Sequence, residues 1–147
     1  MTTRRATRTK RRSSRTRPRA RVVEPRTRVF VYGTLLAGER NHHVLDGARL
    51  VAEARTRAGF TLYDFGTYPG MVARGGYAVA GEVYEVDEPV LARMDRLEGH
   101  PRFYRRTSIR LDDGSTVEAY LLRLEQVSHL PIIPSASWRA RHEGTPP

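Results

Sequence analysis

Two short segments of this chain carry residues whose types and spacing suit chemistry. The first is Asp95-Arg96-Leu97-Glu98-Gly99, where Glu98 closes a segment with an apolar face. A carboxylate at a helix C-terminus feels the negative end of the helix dipole, which raises its pKa. A raised pKa suits a group that takes a proton and later returns it near neutral pH. The same placement also fits a solvated helix-end glutamate with no chemical task. The second segment, Tyr32-Gly33-Thr34-Leu35, ends a buried apolar run at a glycine turn. Backbone N–H groups freed from a strand ladder there can hold a carboxylate or a developing oxyanion. Gly33, with no side chain, lets a ligand approach the backbone. The plainer alternative is a strand end that needs positive φ at Gly33, with Tyr32 in the core.

Other familiar constellations lack essential parts. Gly33 to Gly38 has the glycine spacing of a phosphate-binding loop, but Glu39-Arg40 stands where Lys and Ser/Thr are required. No G-x-S-x-G occurs, so there is no nucleophile elbow. His42, His43, His100, His129 and His142 offer no i,i+4 pair within a helix, so no metal site is expected. The chain has no cysteine, which removes thiol nucleophiles, thiolate metal sites and disulfides, and fits a reducing, cytoplasmic setting. No cofactor is implied.

The elements that must position these segments are legible in part. The chain has 147 residues, 39% of them hydrophobic, with a formal charge of +10. That length allows one domain, or one domain and a tail. No apolar run reaches the ~18 residues of a membrane span. Residues 1–28 hold 12 of the 26 basic residues and one acid, whereas residues 29–147 are nearly neutral. The Arg-rich tail, residues 1–28, has too few apolar groups to offset its ordering entropy and is expected to be disordered. It is either an extension without a specific task, a weak non-specific contact for nucleic acid or another polyanion, or an organelle transit peptide.

From residue 29 the composition changes. Val29 to Tyr32 reads as a strand buried on both faces. Asn41 to Leu50 suggests a short helix with Asn41 as its N-cap and Gly47 ending it. Arg57–Tyr63 and Tyr77–Val86 read as strands, separated by a turn cluster from Asp64 to Gly70. Asp87 then caps a helix that starts at Pro89 and runs to Leu97, with Val90, Leu91, Met94 and Leu97 facing the sheet and Gly99 as the C′ residue. Tyr104–Leu111 and Thr116–Leu124 flank Asp112-Asp113-Gly114-Ser115, a hairpin signal. Ser135–Arg141 is a short segment with the single tryptophan, Trp138. Five or six strands and two or three short helices predict a small α+β domain with a strongly curled sheet or barrel, residues 29–147.

Taken in order, the segments resemble the γ-glutamylcyclotransferase-like family, which includes γ-glutamylamine cyclotransferases and the butirosin-pathway cyclotransferase. The matching residues are Tyr32-Gly33-Thr34-Leu35, Gly81-Glu82-Val83-Tyr84, Met94-Asp95-Arg96-Leu97-Glu98-Gly99, Tyr104 with Arg106, and Val117-Glu118-Ala119-Tyr120. The likeness covers residues 29 to about 140, with Met94 in place of a leucine. It implies a mixed six-stranded β-barrel with two to three short helices packed on it, and release of 5-oxoproline from a small-molecule γ-glutamyl amine or peptide. It also implies that Tyr32, Gly33, Thr34 and Leu35 bind the glutamyl group, that Glu98 is the catalytic acid/base, and that Tyr104 and Tyr120 line the pocket. The spacing of Tyr104 from Glu98 is closer to the γ-glutamylamine branch. For Tyr104 and Tyr120 a place in the core or on the sheet remains the alternative reading.

Such a reaction suits a chain without an evident nucleophile, because the substrate supplies its own α-amine. The loops Asp64–Gly76 and Pro101–Phe103 are expected to shape the subsite for the leaving amine. The competing expectation is a non-catalytic binding module with the same barrel, tethered to a polyanion by the tail. The sequence does not set the oligomeric state.

Overall fold

The computed structural model describes residues 26–143. The tail expected over 1–28 therefore lies mostly outside the described residues, although its last two positions belong to the first strand. The elements run β1 (Thr27–Val31), a 3₁₀ turn (His42–Leu45), β2 (Arg49–Arg55), β3 (Phe60–Asp64), β4 (Pro69–Tyr77), β5 (Ala80–Val86), α1 (Glu88–Glu98), β6 (Arg105–Arg110), β7 (Thr116–Leu121) and α2 (Leu124–Val127). The class is α+β, as the sequence predicts. Among the described residues the sheet has seven strands rather than six and stays open, in the order β2-β5-β1-β7-β4-β3 with β6 added on β7. No helix among the described residues is long and apolar enough to cross a membrane.

The unpredicted strands are β2 and β4. β2 occupies an edge, pairs antiparallel with β5, and has a bulge between Leu50 and Ala52. The helix expected over Asn41–Leu50 shrinks to the 3₁₀ turn, because Gly47 turns the chain at φ 94°. Asn41 does not cap it; its Nδ2 donates to Thr34 Oγ1 at 3.0 Å instead. β4 starts at Pro69-Gly70, which the sequence marks as a breaker. Proline is tolerated as the first residue of a strand, where its missing N–H leaves no ladder bond unmade. β4 runs to Tyr77, which pairs with Phe60, so the strand expected from Tyr77 begins only at Ala80.

α1 follows its sequence signals closely. Asp87 Oδ1 accepts from Val90 N–H at 3.1 Å, and Gly99 ends the helix at φ 66°. Val90 and Met94 are buried, but Leu97 is 41% exposed and does not reach the sheet.

The central feature is a fork on β7. β6 pairs along one edge of β7 from Thr116 to Leu121. Both β1 and β4 run parallel to β7 on its other edge, β1 opposite Glu118 and Ala119 and β4 opposite Leu121. β1 thus leaves the ladder where β4 enters it, and the backbone parts just beyond Val31. Val29 and Phe30 are fully buried, so the strand is covered on both faces up to the parting.

Candidate active site

The parting of β1 from β4 opens a cavity of about 270 Å³. This lies just below the ~300–1,000 Å³ of drug-sized ligand sites and suits a small polar molecule. Tyr32, Gly33, Thr34, Leu35, Glu98, Tyr104 and Tyr120 all line it. The structure therefore brings together every site residue named from the sequence.

Tyr32 bridges the fork. Its hydroxyl donates to the Tyr120 carbonyl at 2.6 Å and accepts from Met71 N–H at 3.1 Å, spanning β7 and β4 where no strand fits between them. Burial, with the nearby Glu98 charge adding to it, pushes this phenol well above its usual range, so it stays a neutral donor. Tyr104 donates to the Pro69 carbonyl at 2.5 Å, and Tyr120 donates to Asp95 Oδ1 at 2.6 Å. All three phenols are thus committed to the protein, and their rings form wall.

Gly33 is required for a reason other than positive φ. A Cβ on it would meet Pro69 Cγ at 2.7 Å, a distance real side chains essentially never show. Glycine here lets the first strand of the fork pass the second. Beyond it, the N–H groups of Gly33, Thr34 and Leu35 donate to no described protein group, while the carbonyls of Gly33 and Thr34 close turns with Leu36 and Asn41. His42 Nδ1 lies 2.9 Å from the Leu35 carbonyl. The loop is anchored at its far end by Glu82, 4% exposed, whose Oε1 accepts from Ala37 N–H and from the Tyr84 hydroxyl, each at 3.0 Å. Arg139 joins Glu82 and the Ala37 carbonyl. Glu82 and Arg139 escape the sequence reading. An acid in an alternating strand is expected on the solvent side, and nothing local shows that a loop end lies against it.

Glu98 is half-buried at the last turn of α1, and no described residue donates to its carboxylate or pairs with it. Its pKa is pushed up to about 7, and burial is the cause. The helix dipole invoked from the sequence is not needed. Asp95, one turn earlier, is also half-buried but differs in its partners. Its carboxylate takes Arg106 Nη1 on both oxygens, at 2.5 and 2.6 Å, and the Tyr120 hydroxyl as well. Burial alone would raise its pKa, but the hydrogen bonds from Arg106 and Tyr120 outweigh it and hold the group below the usual range. Arg106 Nε also pairs with Glu118 at 3.2 Å. This cluster backs Tyr120 from outside the cavity.

The family profile described as gamma-glutamyl cyclotransferase, AIG2-like, matches residues 29–140. The chain belongs to the γ-glutamylcyclotransferase family. A Vibrio cholerae protein named for γ-glutamylcyclotransferase is 43% identical over 113 residues, 77% of this chain and 96% of that one. The bovine γ-glutamylaminecyclotransferase is 42% identical over 94 residues, 55% of this chain and 54% of its own. Among solved structures, the uropathogenic Escherichia coli protein c4763 superposes with a TM-score of 0.72 at 26% identity, covering 83% of this chain and 99% of that one. Like other members of this γ-glutamylcyclotransferase family, the chain is of a class that acts on γ-glutamyl compounds.

Proposed function

We propose that the chain converts a γ-glutamyl amine or γ-glutamyl peptide to 5-oxoproline and the free amine, with Glu98 as the proton carrier. The observation that carries this is the pairing of an unpartnered carboxyl, poised at about 7, with three unused backbone donors in one small cavity. The N–H groups of residues 33–35 bind the α-carboxylate or the γ-carbonyl oxygen, where negative charge grows. Glu98 takes a proton from the α-ammonium. The freed amine then attacks the γ-carbonyl carbon and closes a five-membered lactam. As the tetrahedral intermediate collapses, the bond to the leaving nitrogen breaks, Glu98 returns its proton to that nitrogen, and the second proton of the ring nitrogen passes to the departing amine, which leaves as an ammonium. Enforcing one rotamer of the substrate can be worth ~7–11 kcal/mol, so the walls of Tyr32, Tyr104 and Tyr120 contribute by folding the substrate onto itself.

A pKa near 7 favours this double duty, since the group is neither a strong acid nor a spent base at neutral pH. The cysteine-free chain fits a cytoplasmic setting. The test is chromatographic detection of 5-oxoproline and released amine from a γ-glutamyl-amino acid or γ-glutamyl-lysine. Turnover is expected for the wild-type chain and a loss of about 10²–10⁴-fold for Glu98→Gln. Full activity in that variant would remove Glu98 from the reaction.

A further inference from the structure

We infer that Arg139 and Glu82 are positioning residues: as a pair they fix Ala37 and, through it, aim the Thr34 and Leu35 N–H groups at the substrate; this rests on the cyclotransferase reading above. Neither side chain lines the cavity, so neither touches the substrate. Among the described residues, Ala37 is the one position from Gly33 to Asn41 whose backbone bonds to a distant part of the chain. Its N–H donates to Glu82 Oε1 at 3.0 Å, and its carbonyl accepts from Arg139 Nη2. The same Nη2 reaches Glu82 Oε2 at 3.3 Å, so the pair grips both peptides that flank Ala37. The other backbone bonds from Gly33 to Asn41 close turns within residues 33–44.

Those turns carry the grip to the substrate donors. The Gly33 carbonyl accepts from Leu36 N–H at 3.1 Å, and the Thr34 carbonyl accepts from Asn41 N–H at 3.0 Å. Both peptides are trans and planar, so the Thr34 and Leu35 N–H groups point opposite to those carbonyls. Their aim is therefore set by where Leu36 and Asn41 sit. Ala37 adjoins the first and leads the chain back to the second. Without the grip on Ala37 the turn is free to rotate about its ends, and the two donors swing with it. The pair is not built chiefly for folding. The Arg139 side chain is 43% exposed, and ion pairs that reach solvent add little to stability. Glu82, when Arg139 is removed, still accepts from Ala37 N–H and the Tyr84 hydroxyl, so its carboxylate is not stranded.

Arg139→Met in the full chain is expected to lower kcat/KM for γ-glutamylalanine by about 10–10²-fold, since a misplacement of about 1 Å suffices for that. Arg139→Lys, which keeps a cation beside Glu82, should recover part of the loss. The apparent pKa of about 7 in the pH profile of kcat/KM should stay in place, because the burial of Glu98 is untouched. Arg49→Met removes a surface pair with Glu85 on the same sheet and should change neither reading. Unchanged kcat/KM in Arg139→Met would overturn the inference, as would a lysine variant no faster than the methionine one. A fall accompanied by a drop of the apparent pKa toward 4.5 would overturn it too, because the fold would then have loosened around Glu98. Should the wild type form no 5-oxoproline, the cyclotransferase reading falls, and calorimetric titration of γ-glutamylalanine into Glu98→Gln, with and without Arg139→Met, decides the inference. Affinity about tenfold weaker with the second change, the loss of one well-aimed hydrogen bond, supports the positioning pair. Equal affinity, or binding to neither, sinks it.

Discussion

Asp95 and Glu98 are the same kind of group, one helical turn apart on α1, and their surroundings drive them in opposite directions. Asp95 looks out of the cavity into Arg106, Tyr120 and the Glu118 side of the sheet, and it is held ionised. Glu98 looks into the fork, meets phenols that are already committed elsewhere, and is half neutral near pH 7. Burial pushes both carboxyls up; only the supply of donors differs. A pair of carboxyls whose environments part their pKa values is a common plan for dividing structural from chemical duty.

The largest expected break in that comparison is kinetic. Glu98→Gln should lower kcat by about 10²–10⁴, whereas Asp95→Asn, measured in the same assay, should cost only about tenfold through a loosened Tyr120. Equal losses would mean that the two acids act as a unit.

The next contrast is in the pH dependence of stability. Glu98 is raised in the folded state, so between about 4.5 and 7 the folded chain holds a proton that the unfolded chain has released. Stability is therefore lost as pH rises through that window. Glu98→Gln, which removes the buried charge, should be more stable than wild type at pH 8 by about 2 kcal/mol, allowing for partial exposure, and equal to it near pH 4. Asp95 runs the other way. Its folded pKa is lowered, so its contribution is full above the ordinary value of 3.8 and disappears in acid. Asp95→Asn should cost about 1–3 kcal/mol at pH 7, and the gap should close in strong acid. Denaturant melts at pH 4 and 8 read the sign for Glu98, and melts at pH 7 and in acid well below 3.8 read the sign for Asp95.

The smallest effect concerns the bridge. Tyr32→Phe leaves the Tyr120 carbonyl and Met71 N–H without their partner and should cost about 1–2 kcal/mol, with activity falling more than stability because the fork carries the loop. An unchanged melting midpoint would show that water replaces the hydroxyl in full.

The sequence was most legible where one stretch contains its own signals. β1 announces itself by Val29–Tyr32, α1 by Asp87, Pro89 and Gly99, and the β6–β7 hairpin by Asp112–Ser115. It was least legible where a distant partner decides. Pro69-Gly70 reads as a turn because nothing nearby shows that β7 offers an edge to pair with. Arg49 to Arg55 is mostly exposed and lacks a clean apolar alternation, as an edge strand can. Gly33 looks like a turn glycine, and the Pro69 ring that truly demands it lies on another strand. Leu97 fits the apolar face of α1 by spacing, but the fork withdraws the sheet from beneath it. For the candidate site, the residue identities came from local patterns. The division between phenols that hold the frame and donors left over for a ligand required the tertiary structure.

The bulged edge formed by β2 has a separate consequence. β2 is a terminal strand of the sheet, and its register breaks between Leu50 and Ala52 while Arg49, Glu53 and Arg55 project along it. A kinked, charge-studded border is a poor template for a second sheet, so this flank discourages stacking of copies edge to edge.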